Sequence, residues 1–197
     1  MYPPTTGSRE ADLMRSSAFR GPARADPERS NGKRGSLTDL PPEWRDAVQR
    51  EARGPDRAAL AALSLTGCRP AEVRGIRVRQ DDDSVTLTIQ GAKVDRDRGV
   101  ESRSITLGRD ELNGTQAGRD LVAWLGARDQ RTIAYPGSVE AFRERVSRAA
   151  DRAGLAQVST YTYRHAAARE LKTARASRAE IADRLGHRSE RSQSVYG

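Results

Sequence analysis

Near the end of the chain, Leu185-Gly186-His187 is followed nine residues later by Tyr196. Upstream lie Arg69 within Thr66-Gly67-Cys68-Arg69-Pro70-Ala71-Glu72, a solitary Lys93, and the run Tyr161-Thr162-Tyr163-Arg164-His165. These residue types converge on one chemistry. A phenol, with a solution pKa near ~10, attacks as a nucleophile only where cations stabilise its phenolate. Arginines read as lying at helix N-termini, where backbone N–H groups and the helix dipole favour anions, bind phosphoryl oxygens in bidentate fashion. Glu72, in the turn behind Arg69, can hold that guanidinium in orientation. An ammonium such as Lys93 can donate a proton to a leaving oxygen, which a guanidinium with a pKa above about 12 does not readily do. The set reads as a phosphate cradle around a tyrosine nucleophile. Singly, each member is more often a surface cation, a solvated loop lysine, a core tyrosine or a frayed terminal side chain.

The chain has 197 residues, room for one domain with a tail and for a substantial core. Its formal net charge of +8 points to a polyanionic partner, most simply nucleic acid. Of 35 basic residues only Lys33, Lys93 and Lys172 are lysines, so a lysine in a mechanistically sensible place stands out. A single cysteine, Cys68, excludes a disulfide framework, and with two histidines, His165 and His187, no metal site is expected. No apolar run approaches the ~18 residues of a membrane span and no signal-peptide pattern opens the chain, so a soluble, cytoplasmic protein is expected.

The elements that must position these residues follow from composition and periodicity. Residues 1–36, rich in Pro, Gly, Ser and Arg, read as a disordered basic arm with at most a short helix over Glu10–Phe19. The folded domain is expected over residues 37–197. Pro41-Pro42-Glu43 marks a helix start, with Trp44, Val48 and Ala52 at helical spacing before Gly54-Pro55. A second helix is expected over Asp56–Leu65 with Gly67 at its end, and a short one over Ala71–Ile76. Val85–Ile89 and Ser102–Leu107 alternate as strands of a hairpin whose tip, Gly91 to Gly99, carries Lys93; Ile76–Val78 could add a third strand. Further helices are read over Ala117–Arg128, from Val139 to Ala153, over Tyr163–Thr173 with Thr162 as cap, and over Arg178–Leu185 with a Ser177/Glu180 capping box. Ser189 would cap a last helix. The expected class is α+β, mainly α, with a two- or three-stranded antiparallel sheet on one edge.

Jointly and in this order, the motifs resemble the tyrosine recombinase or phage integrase family, across its catalytic domain. The family's T-G-[LMC]-R-x-x-E box is matched from Thr66 to Glu72. Its hairpin lysine falls on Lys93, and its K-x-R-x-[IV]-P-L segment is similar to Arg103-Ser104-Ile105-Thr106-Leu107. The H-x-L-R-H-[ST] box is seen as Tyr161 to Ala166, L-G-H as Leu185 to His187, and the tyrosine as Tyr196.

The resemblance implies site-specific recombination of double-stranded DNA in a helical breaking-and-rejoining domain, with no metal or cofactor. Tyr196 would attack a phosphodiester to give a 3′-phosphotyrosyl link. Arg69, Arg164 and His187 would stabilise the phosphoryl oxygens, Lys93 would protonate the 5′-oxygen, and Glu72 and His165 would support them. It also implies self-association on DNA, as a tetramer, and residence with the nucleoid. Two departures stand against it. Tyr161 occupies the position of the family's first histidine, which implies slower chemistry. No separate core-binding domain is expected before residue 37, and no docking tail after Gly197. A truncated or decayed integrase that binds DNA without cutting is therefore the alternative, and a single-tyrosine topoisomerase a minor one.

Overall fold

The computed structural model describes residues 37, 39–92 and 100–187, all within the unit Lys33–Gly197. The expected arm, its Glu10–Phe19 helix, the hairpin tip and the helix after Ser189 lie outside the described residues.

Helix α2 (Asp56–Thr66) organises the rest. Its sequence, DRAALAALSLT, is apolar nearly all round, as suits a helix surrounded by protein, and residues 58–63 are all buried. Helices α1 (Trp44–Glu51), α5 (Gln116–Leu125), α6 (Val139–Arg152) and α7 (Thr160–Thr173) pack against it. The Trp44 ring meets that of Tyr163 on α7 at 4.7 Å between centroids, so α1 closes over α7 through an aromatic pair. α2 ends at Gly67, whose φ of +62° gives the left-handed cap that turns the chain towards the one-turn helix α3 (Pro70–Val73).

The antiparallel sheet runs in the order β3-β2-β1-β4, with β1 Arg77–Gln80, β2 Ser84–Gln90, β3 Ser102–Gly108 and β4 Gln130–Thr132. Asp81 accepts hydrogen bonds from the Asp83 and Ser84 backbone, forming the β1–β2 turn. Alternation sets the faces: Val78, Val85, Leu87, Ile89, Ile105 and Leu107 point to the core. On the other face Thr86 bonds Thr106 and Thr88 bonds Ser104, across pairs that the register places opposite.

The sheet thus has four strands rather than two or three. β4, three residues without alternation, is defined by its pairing with β1, and β1 begins at Arg77, one residue beyond the expected start. Helix α3 stops at Val73, short of Ile76, and α5 stops at Leu125 because Gly126 leaves the helical region. A short helix α4 (Arg109–Asn113) follows β3 directly. Helix α7 starts three residues earlier than expected. Ser159 is its cap, and Thr162 closes the box by accepting from the Ser159 N–H at 2.9 Å. Helix α8 (Arg178–Leu185) carries the Ser177/Glu180 capping box as read and packs on α7 through Ala168, Ile181 and Leu185. Among the described residues no helix is long and apolar enough to cross a membrane, and no group of His, Cys, Asp and Glu could hold a metal ion.

Candidate active site

The site forms where α8 ends. Gly186, at φ +67°, closes the helix in a Schellman arrangement: its N–H donates to Asp183, and the His187 N–H donates to the Ala182 carbonyl at 2.7 Å. This leaves the last carbonyls of α8 facing outward at the negative end of the helix, where cations are favoured. Three successive carbonyls each receive one arginine. Arg103 Nε donates to Arg184 O at 3.1 Å, Arg164 Nη2 to Leu185 O at 2.7 Å, and Arg69 Nη1 to Gly186 O at 3.3 Å. The guanidinium groups come from β3, α7 and the turn before α3, so one helix end gathers side chains distant in sequence.

This differs from the electrostatic basis read from sequence. Arg69 precedes a helix of four residues, and Arg164 is the fifth residue of α7, beyond its first turn. The arginines are collected by a helix C-terminus, not presented by two N-termini.

Arg164 is 1% exposed and spans two segments, donating through Nη1 to Gly67 O at 3.0 Å as well as to Leu185. Its Nη2 also lies 2.6 Å from His187 Nε2. A guanidinium only donates, so His187 accepts through Nε2 and carries its proton on Nδ1. Burial, and then the charges of Arg164, Arg69 and Arg103, lower the His187 pKa from 6.5 to about 4, with Glu72 opposing. His187 is therefore a neutral imidazole at neutral pH.

Glu72 is fully buried. Its Oε1 accepts from Arg69 Nη1 at 2.8 Å, and its Oε2 accepts from the Arg69 backbone N–H and from Arg103 Nη2, both at 2.8 Å. Burial alone would raise its pKa, but the bonds and charge of Arg103 and the two bonds from Arg69 outweigh this and hold the carboxyl ionised. Of the arginines around it, Arg69 is the more open, at 22% side-chain exposure against 7% for Arg103. Cys68, beside them, is buried; desolvation pushes its thiol up to about 11.

The structure brings together Arg69, Glu72, Arg164 and His187. His165 follows Arg164 on α7 and is half-buried. Tyr161 is 48% exposed, and its hydroxyl accepts from Arg143 on α6 at 3.3 Å, with the Arg143 guanidinium 5.4 Å from its ring. Lys93 and Tyr196 lie outside the described residues. Sequence reasoning placed Arg103 in a strand and in the segment similar to the family's K-x-R-x-[IV]-P-L, but gave it no role in the site. Its signal was parity, because Arg103 shares the inward alternation of Ile105 and Leu107.

Among solved structures, the chain resembles a XerH site-specific recombinase bound to difH substrate in a pre-cleavage complex, with a TM-score of 0.56 and 15% identity over 78% of this chain and 47% of that one. It also resembles XerA recombinase, with a TM-score of 0.59 and 16% identity over 80% of this chain and 57% of that one. This chain thus spans about half the length of each, and at these identities the likeness is one of fold. No curated protein matches it in sequence. The phage integrase family model matches residues 45–197, which include the α8 end and all the arginines it gathers, and the chain belongs to the phage integrase family.

Proposed function

We propose that this domain carries out site-specific recombination by cutting and rejoining double-stranded DNA through Tyr196. The observation that supports this most directly is the collection of Arg69, Arg164 and His187 at one helix end, with Arg69 partly open. Phosphoryl transfer needs little from a protein beyond positioning and charge stabilisation on the non-bridging oxygens, and fixed guanidinium groups supply both. Tyr196 attacks phosphorus as the bond to the 5′-oxygen breaks; the phenol's proton passes to solvent, the leaving oxygen takes one from Lys93, and Lys93 regains its proton from solvent. The 3′-phosphotyrosyl link conserves the bond energy, so attack by a 5′-hydroxyl from a partner strand reverses the step. A bound phosphate also changes His187: its negative charge offsets the arginine repulsion, so the imidazole takes a proton more readily in the complex. Self-association on DNA belongs to the same proposal, because strand exchange requires more than one cut.

A nicked duplex whose 5′-fragment diffuses away after cleavage tests this reading. The wild-type protein should accumulate a covalent adduct, Tyr196→Phe none, and Arg69→Ala or Arg164→Ala about 10²- to 10³-fold less per unit time. Wild-type protein that binds the duplex yet yields no adduct refutes it.

One observation favours a second reading, DNA binding without cutting. Tyr161, at the position of the family's histidine, is exposed and engaged with Arg143. Under that reading binding is salt-dependent and survives both Arg69→Ala and Tyr196→Phe.

A further inference from the structure

Arg103 has not figured in the chemistry above, yet it is among the most constrained cations near the cradle. Its side chain, on a strand, is 7% exposed and, among the described residues, has one charged partner, Glu72, and one carbonyl partner, Arg184 O. Its Nη1 is buried without a hydrogen-bond partner among the described residues. Gly186 leaves room for the group: a β-carbon there would stand 2.5 Å from Arg103 Nη1. A buried guanidinium with an unmet donor is costly, and a hydrophobic side chain would fill an inward strand position without that cost.

Charge accounting supplies a reason. Glu72 carries one negative charge and is bonded by both Arg69 and Arg103. With Arg103 present, the three groups sum to a single positive charge. Arg103 is enclosed and Arg69 is the more open, so the excess is offered at Arg69. Without Arg103, Glu72 and Arg69 would form a neutral i,i+3 pair, and a phosphate approaching Arg69 would meet a carboxylate that cancels it.

We propose that Arg103 is a positioning residue that neutralises Glu72, so that Glu72 can orient Arg69 without cancelling its charge. The effect on cleavage rests on the strand-cutting reading above; the effect on the field at His187 does not.

The test uses the full chain and four variants: Arg103→Gln, Arg103→Lys, Glu72→Gln, and Glu72→Gln with Arg103→Gln. Glutamine keeps a donor for the carbonyl and removes the charge; lysine keeps the charge. On the nicked duplex, Arg103→Gln should slow adduct formation about 10- to 100-fold. Arg103→Lys should stay within about threefold of wild type, and the double variant should form adduct faster than Arg103→Gln, because its net charge is again that of wild type and an amide at position 72 keeps an oxygen for Arg69. Rescue by removing a second buried group is not what a packing role gives. A double variant as slow as Arg103→Gln, or slower, overturns the proposal.

A second readout needs no catalysis. Among the described residues, the charged groups that act on His187 are Arg164 from α7, Arg69 and Glu72 beside and within α3, and Arg103 from β3. Titration of the His187 ring followed by NMR should show its pKa rising by about half a unit or more in Arg103→Gln, and falling back in the double variant. A rise in both variants signals loosening and overturns the charge account. If the wild type forms no adduct but the titrations follow this order, strand cutting fails and the role of Arg103 stands. If Arg103→Gln does not fold, Glu72→Gln alone against the double variant carries the comparison: His187 should titrate lower in Glu72→Gln, where the Arg103 charge is uncancelled.

Discussion

Replacing Gly67 by alanine tests the construction of the site at its tightest point. Two costs are separable there. At φ +62° a β-carbon is disfavoured by ~1–2 kcal/mol. That carbon would also stand 2.5 Å from Ala167 Cβ and 3.4 Å from Leu185 Cδ2, so the α2–α3 turn must move about 1 Å off α7 to restore ordinary contact near ~3.5 Å. Overpacking of this kind costs ~1–3 kcal/mol. The sum is about 3 kcal/mol, or roughly 10 °C in melting temperature for a domain of this size. Gly154 is the control: its φ is +73° with nothing within 4 Å of a built β-carbon, so Gly154→Ala should cost only about 1 kcal/mol. Combining Gly67→Ala with Ala167→Gly should recover ~1–2 kcal/mol relative to additivity in urea or thermal melts. The Gly67 carbonyl also accepts from Arg164, so the single variant should lose adduct formation beyond its loss of folded protein. Equal costs at positions 67 and 154, or strict additivity with Ala167→Gly, would refute the packing argument.

Three other outcomes are expected. His187 binds a proton with a pKa of 6.5 when unfolded and about 4 when folded, so its contribution is complete above pH 6.5 and fades as pH falls towards 4. That is ~3 kcal/mol in total; urea melts from pH 7 to 5 should show a slope that His187→Gln removes. The Tyr163 hydroxyl is buried without a partner among the described residues, so Tyr163→Phe should leave stability unchanged or raise it by up to about 1 kcal/mol in thermal melts. Cys68, buried and pushed up to about 11, should resist iodoacetamide at pH 8 and react only as urea unfolds the domain; prompt native-state alkylation would show the turn open.

Arg69, Glu72, Arg164 and His187 could be singled out from the sequence because the short stretches that hold them occur together and in order, although singly each reads as an ordinary surface or core residue. The helices with an unbroken apolar stripe, such as α6, were legible because a 3.6-residue period is a local property. What escaped depends on partners. Strand β4 is strand only because β1 offers it a free edge. The start of α7 at Thr160 turned on whether Ser159 or Thr162 would cap, and two hydroxyls three residues apart compete for that place. Arg103 was placed in a strand and a family-like segment but given no role, because its role comes from Glu72 and Arg184, 31 and 81 residues away. The source of the site's electrostatics was misread for the same reason, because the α8 carbonyls meet their arginines only in the folded chain.

The bridge made by Arg164 also constrains when the site can exist. Its two carbonyl partners, Gly67 and Leu185, lie 97 residues before it and 21 after it. Closing loops of that length comes late in folding and depends on the intervening helices being in place. A ribosome adding roughly 5–20 residues per second needs on the order of 10 s to pass from the first carbonyl to the second. Through that interval the growing chain already displays many of its arginines, but the helix end that gathers them has yet to form. The arginines of the site therefore exist in the nascent chain before the helix end that gathers them, and the site assembles only once Leu185 has joined the fold.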